Sequence, residues 1–507
     1  MARLVDALKS KAVAKKIENK TTRKELTKTG NSFVDGAVSE SLYDERTDNG
    51  MKTLSTSHSA LVDLFGIAGS MRKEDIVPHF IKAFNENSLL ALKLALYTRD
   101  CTEGQGNRKN FRDILYWVTS TYPMSNGRDM CSEEQIKNET YVKNMIKKVP
   151  LVGRWDDILH VDESYQDYVF SLIKTGLEDK DTQGLCAKWM PRQGAVANAI
   201  RKYLGLTPKG YRKKIVALSK TVEQKMCAKQ WNEIEYSHVP SKAFKNYTNA
   251  FKKHDNVRFD AFLNKAEKGE VKVNAKAIYP YDVIANLRND IKASEVQWKN
   301  LPDFLEEGVN ILVMADGSGS MTSCIAGNVS CLDVANSLAI YTSERLKSAF
   351  KNLYLTFSMN PKFVKLEGSL ANKVQIARRY NEVANTNVVA GFKLILETAK
   401  RNNVPQSDMP TVLLIISDGE FDADNDFDDS MLQSVQRLYG EAGYKVPQVV
   451  SWNVAGKMGR SPVTYNQAGT AMISGFSPTI LKYIGSQDIT PEKLMMKVLN
   501  KERYSIE

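Results

Sequence analysis

The run Ile311-Leu312-Val313-Met314-Ala315, followed at once by Asp316-Gly317-Ser318-Gly319-Ser320, restricts this chain more than any other stretch. An apolar run closed by an acid and a Gly/Ser turn predicts a strand buried on both faces, as in a parallel sheet, with oxygen-bearing side chains at its carboxyl end. Asp316, Ser318 and Ser320 stand at alternate positions, and such oxygens suit a hard cation, Mg²⁺ or Mn²⁺. A second apolar run at 411–417 ends in Asp418-Gly419 in the same way. Between the two, Thr386 precedes a helical pattern and offers another hydroxyl.

The pattern around these runs alternates. Strands are expected at 311–316, 352–358, 362–368, 411–417, 448–454 and 471–474, and helices at 331–347, 388–402, 431–442 and 477–485. Alternation of this kind predicts a mostly parallel sheet covered on both faces, a doubly wound α/β domain. A DxSxS turn, a Thr in a loop before a helix, and an Asp closing a later strand together resemble the metal-ion-dependent adhesion site of von Willebrand factor A domains. The resemblance implies that Asp316, Ser318, Ser320, Thr386 and Asp418 hold one Mg²⁺ or Mn²⁺, with a coordination position open to an Asp or Glu from a protein partner.

Known catalytic patterns fail here. A phosphoryl-accepting Asp of the haloacid-dehalogenase type needs an acid where Ser318 stands. A hydrolase elbow needs a Gly where Ser320 stands, and Gly456-Lys457 lacks both the leading Gly and the following Ser/Thr of a P-loop. None of the five histidines lies beyond residue 300, so no imidazole could act as base beside Asp316. A non-enzymatic protein is expected.

At 507 residues the chain has room for a further domain. Residues 1–57 read as a basic N-terminal arm, 58–300 as a helical-repeat domain, 301–490 as the A-type domain, and 491–507 as a C-terminal helix or tail. Short helical patterns recur at 59–68, 74–84, 88–99, 109–121, 133–147, 164–177, 192–203, 211–227 and 241–252, so a HEAT-like stack of helix pairs is expected in preference to a compact bundle. The fold class is then α followed by α/β. No run of about 18 apolar residues is present and no signal-peptide core opens the chain, so a cytoplasmic protein with no membrane span is expected. The six cysteines show no CxxC pairing and are expected to be free thiols.

Several short segments go beyond periodicity: 99–108 before Phe111-Arg112, Gly153-Arg154-Trp155-Asp156-Asp157, Lys188-Trp189-Met190-Pro191-Arg192, 239–244, Pro280-Tyr281-Asp282, and 474–478. Together they resemble the family sharing domain of unknown function 2828, itself similar in layout to the TROVE-domain Ro proteins. That resemblance implies a ribonucleoprotein in which helical repeats contact RNA. The charge agrees with it: residues 301–507 carry 20 Lys/Arg and 22 Asp/Glu, which leaves a positive surplus of 13 for residues 1–300.

Arg99, Arg108, Lys109 and Arg112 form one expected RNA-binding cluster. Arg212 and Lys213 beside Tyr211 form a second, and Lys245 beside Phe244 and Tyr247 a third. The alternative is a metal-dependent adaptor that binds protein without RNA. Trp155, Trp189 and Trp231 are expected to pack at helix corners, and the acidic stretch from Asp422 to Asp429 to be a solvated loop.

Overall fold

The computed structural model describes residues 44–72, 74–125, 132–326, 329–357, 360–381, 386–423, 428–457, 460–486 and 488–506. A short antiparallel hairpin comes first, β1 (Glu45–Arg46) with β2 (Lys52–Thr53). Helices α1 (Ala60–Phe65), α2 (Val77–Glu86), α3 (Ser88–Arg99), α4 (Arg108–Thr121), α5 (Glu133–Val152), α6 (Gln166–Glu178), α7 (Gln183–Trp189), α8 (Ala195–Tyr203), α9 (Pro208–Ser219), α10 (Val222–Cys227), α11 (Ser241–Glu267), α12 (Pro280–Asn286) and α13 (Ile291–Lys299) follow. Their starts are written locally. Ser59, Asn87, Asn107, Ser132, Thr207 and Asp290 each accept, through a side-chain oxygen, from the backbone N–H three residues on.

The second half opens with β3 (Ile311–Ala315), buried throughout. A small ribbon, β4 (Cys324–Ala326) with β5 (Val329–Ser330), leads into α14 (Cys331–Arg345). Then come β6 (Leu353–Thr356), β7 (Lys362–Lys365), α15 (Leu370–Arg379), α16 (Val388–Arg401), β8 (Val412–Ser417), α17 (Met431–Ala442), β9 (Gln448–Asn453), β10 (Thr470–Ser474) and α18 (Pro491–Leu499). Six strands join in the order β10-β9-β8-β3-β6-β7, all parallel except the edge strand β7, which runs antiparallel to β6. β3 and β8 lie side by side in register, Ile311 opposite Val412 and Ala315 opposite Ile416, so Asp316 and Asp418 emerge from neighbouring strands at one edge.

The helical half packs on the sheet domain near both of its ends. At its start α1 packs on β10 and α18; at its end α12 and α13 pack on α14 and α15. The main hydrophobic core runs without a break from α1 into the sheet, while a smaller one gathers Phe244, Phe251, Phe259 and Phe262.

Some expectations are corrected. The helix expected at 211–227 is two, α9 and α10, separated where Lys220 takes a left-handed backbone (φ 34°). The one expected at 241–252 continues to Glu267 through a kink at Asp255 (φ −150°, ψ 44°). The segment expected as a helix at 477–485 is a 3₁₀ turn, Pro478–Tyr483, and β7 ends at Lys365 where an amphipathic pattern (Leu370, Val374, Ala377) starts the unanticipated α15. The arm is corrected in part: residues 1–43 lie outside the described residues, but 44–57 form a strap docked on the sheet domain. Cys101, Cys186, Cys227 and Cys331 are free thiols. Cys131 and the side chain of Cys324 lie outside the described residues.

Candidate metal centre

β3 ends in a turn that fixes the Asp316 carboxylate from both sides. The Ser318 N–H donates to its Oδ1 at 2.8 Å, and the Ser417 hydroxyl, from the end of β8, donates to its Oδ2 at 2.6 Å. Ser318 and Ser320 then turn their hydroxyls together, Oγ to Oγ 3.0 Å, with Ser318 buried and Ser320 exposed. Asp418 follows β8 and is buried; its Oδ1 accepts from the Glu420 N–H at 3.2 Å. Gly419 takes φ +86°, a left-handed conformation that turns the chain away from Asp418.

Thr386 is buried just before α16, whose first turn is capped by Asn387. Its carbonyl accepts from the Asp422 N–H at 2.9 Å, so the loop carrying Asp418 and the loop carrying Thr386 are tied by one bond. Burial, and then the charge of Asp418, push the Asp316 carboxyl up to about 7. Two withdrawn acids, the charge of one raising the pKa of the other, stand with the hydroxyls of Ser318, Ser320 and Ser417. Among the described residues no cluster of three or more His, Cys, Asp or Glu could hold a metal, so any cation here leans on hydroxyl oxygens as well as the two carboxylates. Carboxylate and hydroxyl oxygens are the kind of donor that Mg²⁺ and Mn²⁺ prefer.

Sequence reasoning missed the surroundings of this edge. The Lys457 ammonium lies 3.1 Å from Glu420 Oε1, 3.8 Å from Asp418 Oδ2 and 3.9 Å from Asp48 Oδ2. Arg460 pairs with Glu420 and with Asp48. Asp48 belongs to the N-terminal strap, which is bound to residues 420–423. Its Asp48 N–H donates to Glu420 Oε2 at 2.7 Å, Asn49 Nδ2 to the Glu420 carbonyl at 2.9 Å and Thr47 Oγ1 to the Phe421 carbonyl at 2.6 Å, while Leu54 and Ser461 exchange backbone bonds.

The loop expected to be solvated is therefore partly a docking surface: Arg46 and Lys52 meet Asp428, and Arg437 meets Asp429. Asp424 and Asp426 lie outside the described residues. A cavity of about 100 Å³ between strap and sheet, walled by Met51, Ile67, Trp452 and Met472, opens beside Asp418. A polar strap with few hydrophobic residues gives no periodic signal.

Of the candidate RNA residues, Arg108, Lys109 and Arg112 line one recess, while Arg99 and Lys245 are engaged by acids. Arg99 is buried and its Nε donates to Asp157 Oδ2 at 2.7 Å; Arg112 binds the same acid at Oδ1 and also Asp156, each at 2.7 Å. Arg99 is thus corrected from a surface contact to an internal one, because the Asp156-Asp157 pair of the second motif neutralises the Arg-rich first motif. Lys109 pairs with Asp113 at 2.9 Å and Lys245 with Asp282 at 2.8 Å. Arg108, Arg212 and Lys213 are exposed. The rest of the 99–108 motif holds the two halves together: Asp100 Oδ1 accepts from Arg503 Nη2 at 3.2 Å and its Oδ2 from Tyr504 OH at 2.8 Å. Trp155 is buried, Trp189 lies under the Arg154 guanidinium at 4.1 Å, and Trp231 stacks on His254 at 4.6 Å.

Two family models divide the chain near the start of β3. Residues 47–161 and 197–310 match the domain of unknown function DUF2828, and residues 310–504 match the domain of unknown function DUF7788. An uncharacterized protein of Acanthamoeba polyphaga mimivirus is 28% identical over 523 residues, across 89% of this chain and 86% of its own. The crystal structure of the Deinococcus radiodurans RO (RSR) protein aligns with 88% of this chain and 99% of that one, at 12% identity and a TM-score of 0.40, a likeness too low to carry a binding role across.

Proposed function

Starting from a chain that belongs to the DUF2828 family through its helical half, we propose that it is a non-enzymatic, metal-dependent binding protein. The sheet domain is read as von Willebrand factor A-like, with one Mg²⁺ or Mn²⁺ held by Asp316, Ser318, Ser320, Thr386 and Asp418. The helical half is read as an irregular HEAT-like scaffold in a Ro-like layout. The observation that carries this reading is the convergence of Asp316 and Asp418 from adjacent strands onto one edge with the paired Ser318 and Ser320 hydroxyls. Two carboxylates balance the charge of a divalent cation without saturating its coordination, so an Asp or Glu from a protein partner would complete the site.

Calorimetric titration of the full chain with Mn²⁺ tests it. One binding event in the wild type, lost in Asp316→Ala with the fold retained, supports the reading; no binding in the wild type removes it. The second reading is RNA binding by the helical half, favoured by Arg108, Arg212 and Lys213, which remain exposed and without an acidic partner among the described residues. It predicts salt-sensitive RNA affinity that falls in an Arg212→Glu, Lys213→Glu double variant. Among the described residues no helix is long and apolar enough to cross a membrane.

A further inference from the structure

Arg72 poses a question of charge. It lies just past α1, where the two halves meet, partly buried, and no carboxylate pairs with it among the described residues. Its Nη1 donates to the neighbouring Met71 carbonyl at 3.3 Å, and its guanidinium lies 5.1 Å from the Phe476 ring centroid. Tyr281 meets Phe476 edge to face at 5.8 Å and stacks on Tyr279 at 5.8 Å, so aromatic rings from both halves surround the cation. Burial draws the guanidinium below its usual pKa. Rings engage the face of a guanidinium, and beyond the one Nη1 bond to Met71 its N–H edge has donors to spare, so a partly buried cation of this kind favours an oxyanion.

The surroundings of that edge are basic as well. Arg72 lines a recess with Gly106, Asn107, Arg108, Lys109 and Arg112, the start of α4. Gly106 (φ +62°) brings the backbone close there, since a Cβ would stand 2.0 Å from the Tyr279 hydroxyl. Lys109 and Arg112 already hold Asp113, Asp156 and Asp157, whereas Arg108, like Arg72, has no acidic partner among the described residues. The positive end of a 14-residue helix adds to the same field.

We propose that this recess is an oxyanion site for a phosphoryl group, gripped by the guanidinium groups of Arg72 and Arg108 over the first turn of α4. The site owes nothing to the cation at Asp316. It does not require the RNA reading either, because a nucleic-acid backbone and a small phosphate ester present the same chemistry. Every residue lining the recess belongs to the helical half, and Arg72 is in turn held against Phe476 of the sheet domain.

Inorganic phosphate is the probe, titrated into the full chain by calorimetry and by thermal unfolding, against chloride at matched ionic strength. Saturable binding is expected in the wild type, weakened about tenfold in Arg72→Met and in Arg108→Gln, the loss of one charge-assisted contact. Arg108 is exposed, so its variant remains informative if Arg72→Met fails to fold. No phosphate effect beyond chloride in the wild type, or wild-type affinity in both variants, overturns the proposal. Competition then names the source: displacement of phosphate by a ribo-oligonucleotide but not by a nucleoside monophosphate indicates a nucleic acid, and the reverse a small ester, either supporting the site. Phosphate binding without any oligonucleotide binding would remove the RNA reading and leave this one standing.

Discussion

The Lys457 ammonium stands 3.8 Å from the Asp418 carboxylate, so the chain keeps a tethered cation at the acidic edge where a divalent ion would bind. The two positive charges compete for one acid. Lys457→Met should therefore raise Mn²⁺ affinity, by about threefold to tenfold given that the lysine is partly exposed and screened. Calorimetry checks the sign: weaker binding in the variant would make Lys457 a support of the site.

Proton and metal should also compete at Asp316. Its carboxyl titrates at about 7 in the folded chain, far above the ordinary carboxylate range. A group raised in this way contributes stability that is fully present below its unfolded pKa and is lost as pH rises through about 7. Without metal, unfolding temperature should fall between pH 5 and pH 8, and the rise produced by Mg²⁺ should be larger at pH 8 than at pH 6. Thermal scans with Mg²⁺ and with EDTA measure both, and a Mg²⁺ effect independent of pH would separate Asp316 from the ion.

The strap should matter to the ion although it supplies no ligand. Thr47 Oγ1 donates to the Phe421 carbonyl and accepts from the Met51 N–H, and the same loop bonds Thr386 through Asp422. Thr47→Val keeps the shape and leaves two buried groups unpaired, at a cost of about 1–3 kcal/mol in stability. Mn²⁺ affinity should fall with it; a variant less stable to urea but unchanged in Mn²⁺ binding would confine the strap to a structural role.

Asp157 joins Arg99 and Arg112 in a largely buried cluster. Asp157→Ala strips a partner from two guanidinium groups at once and should cost about 3–5 kcal/mol of unfolding free energy. Arg99→Glu should be similarly damaging, so a loss of RNA binding in that variant would report on the fold. Urea unfolding beside the exposed Arg212→Glu, which should be near neutral, separates the two effects.

Much of the sheet domain was legible because its signals are local. β3 and β8 are apolar runs closed by Asp, and helix caps such as Asn387 lie in the sequence next to what they cap. β7 and α15 were less legible, since an edge strand is short and half exposed, and α15 begins where its apolar spacing is sparse.

Composition and spacing determined the order of elements, the positive surplus of the first 300 residues and the candidate set Asp316, Ser318, Ser320, Thr386 and Asp418. Only the tertiary structure decided which charges remain available. Arg99 and Arg112 lie more than 40 residues from Asp157, Asp48 lies hundreds from Arg460, and Arg72 hundreds from Phe476. A charge is neutralised by what lies within a few ångströms of it, and the sequence does not contain that distance.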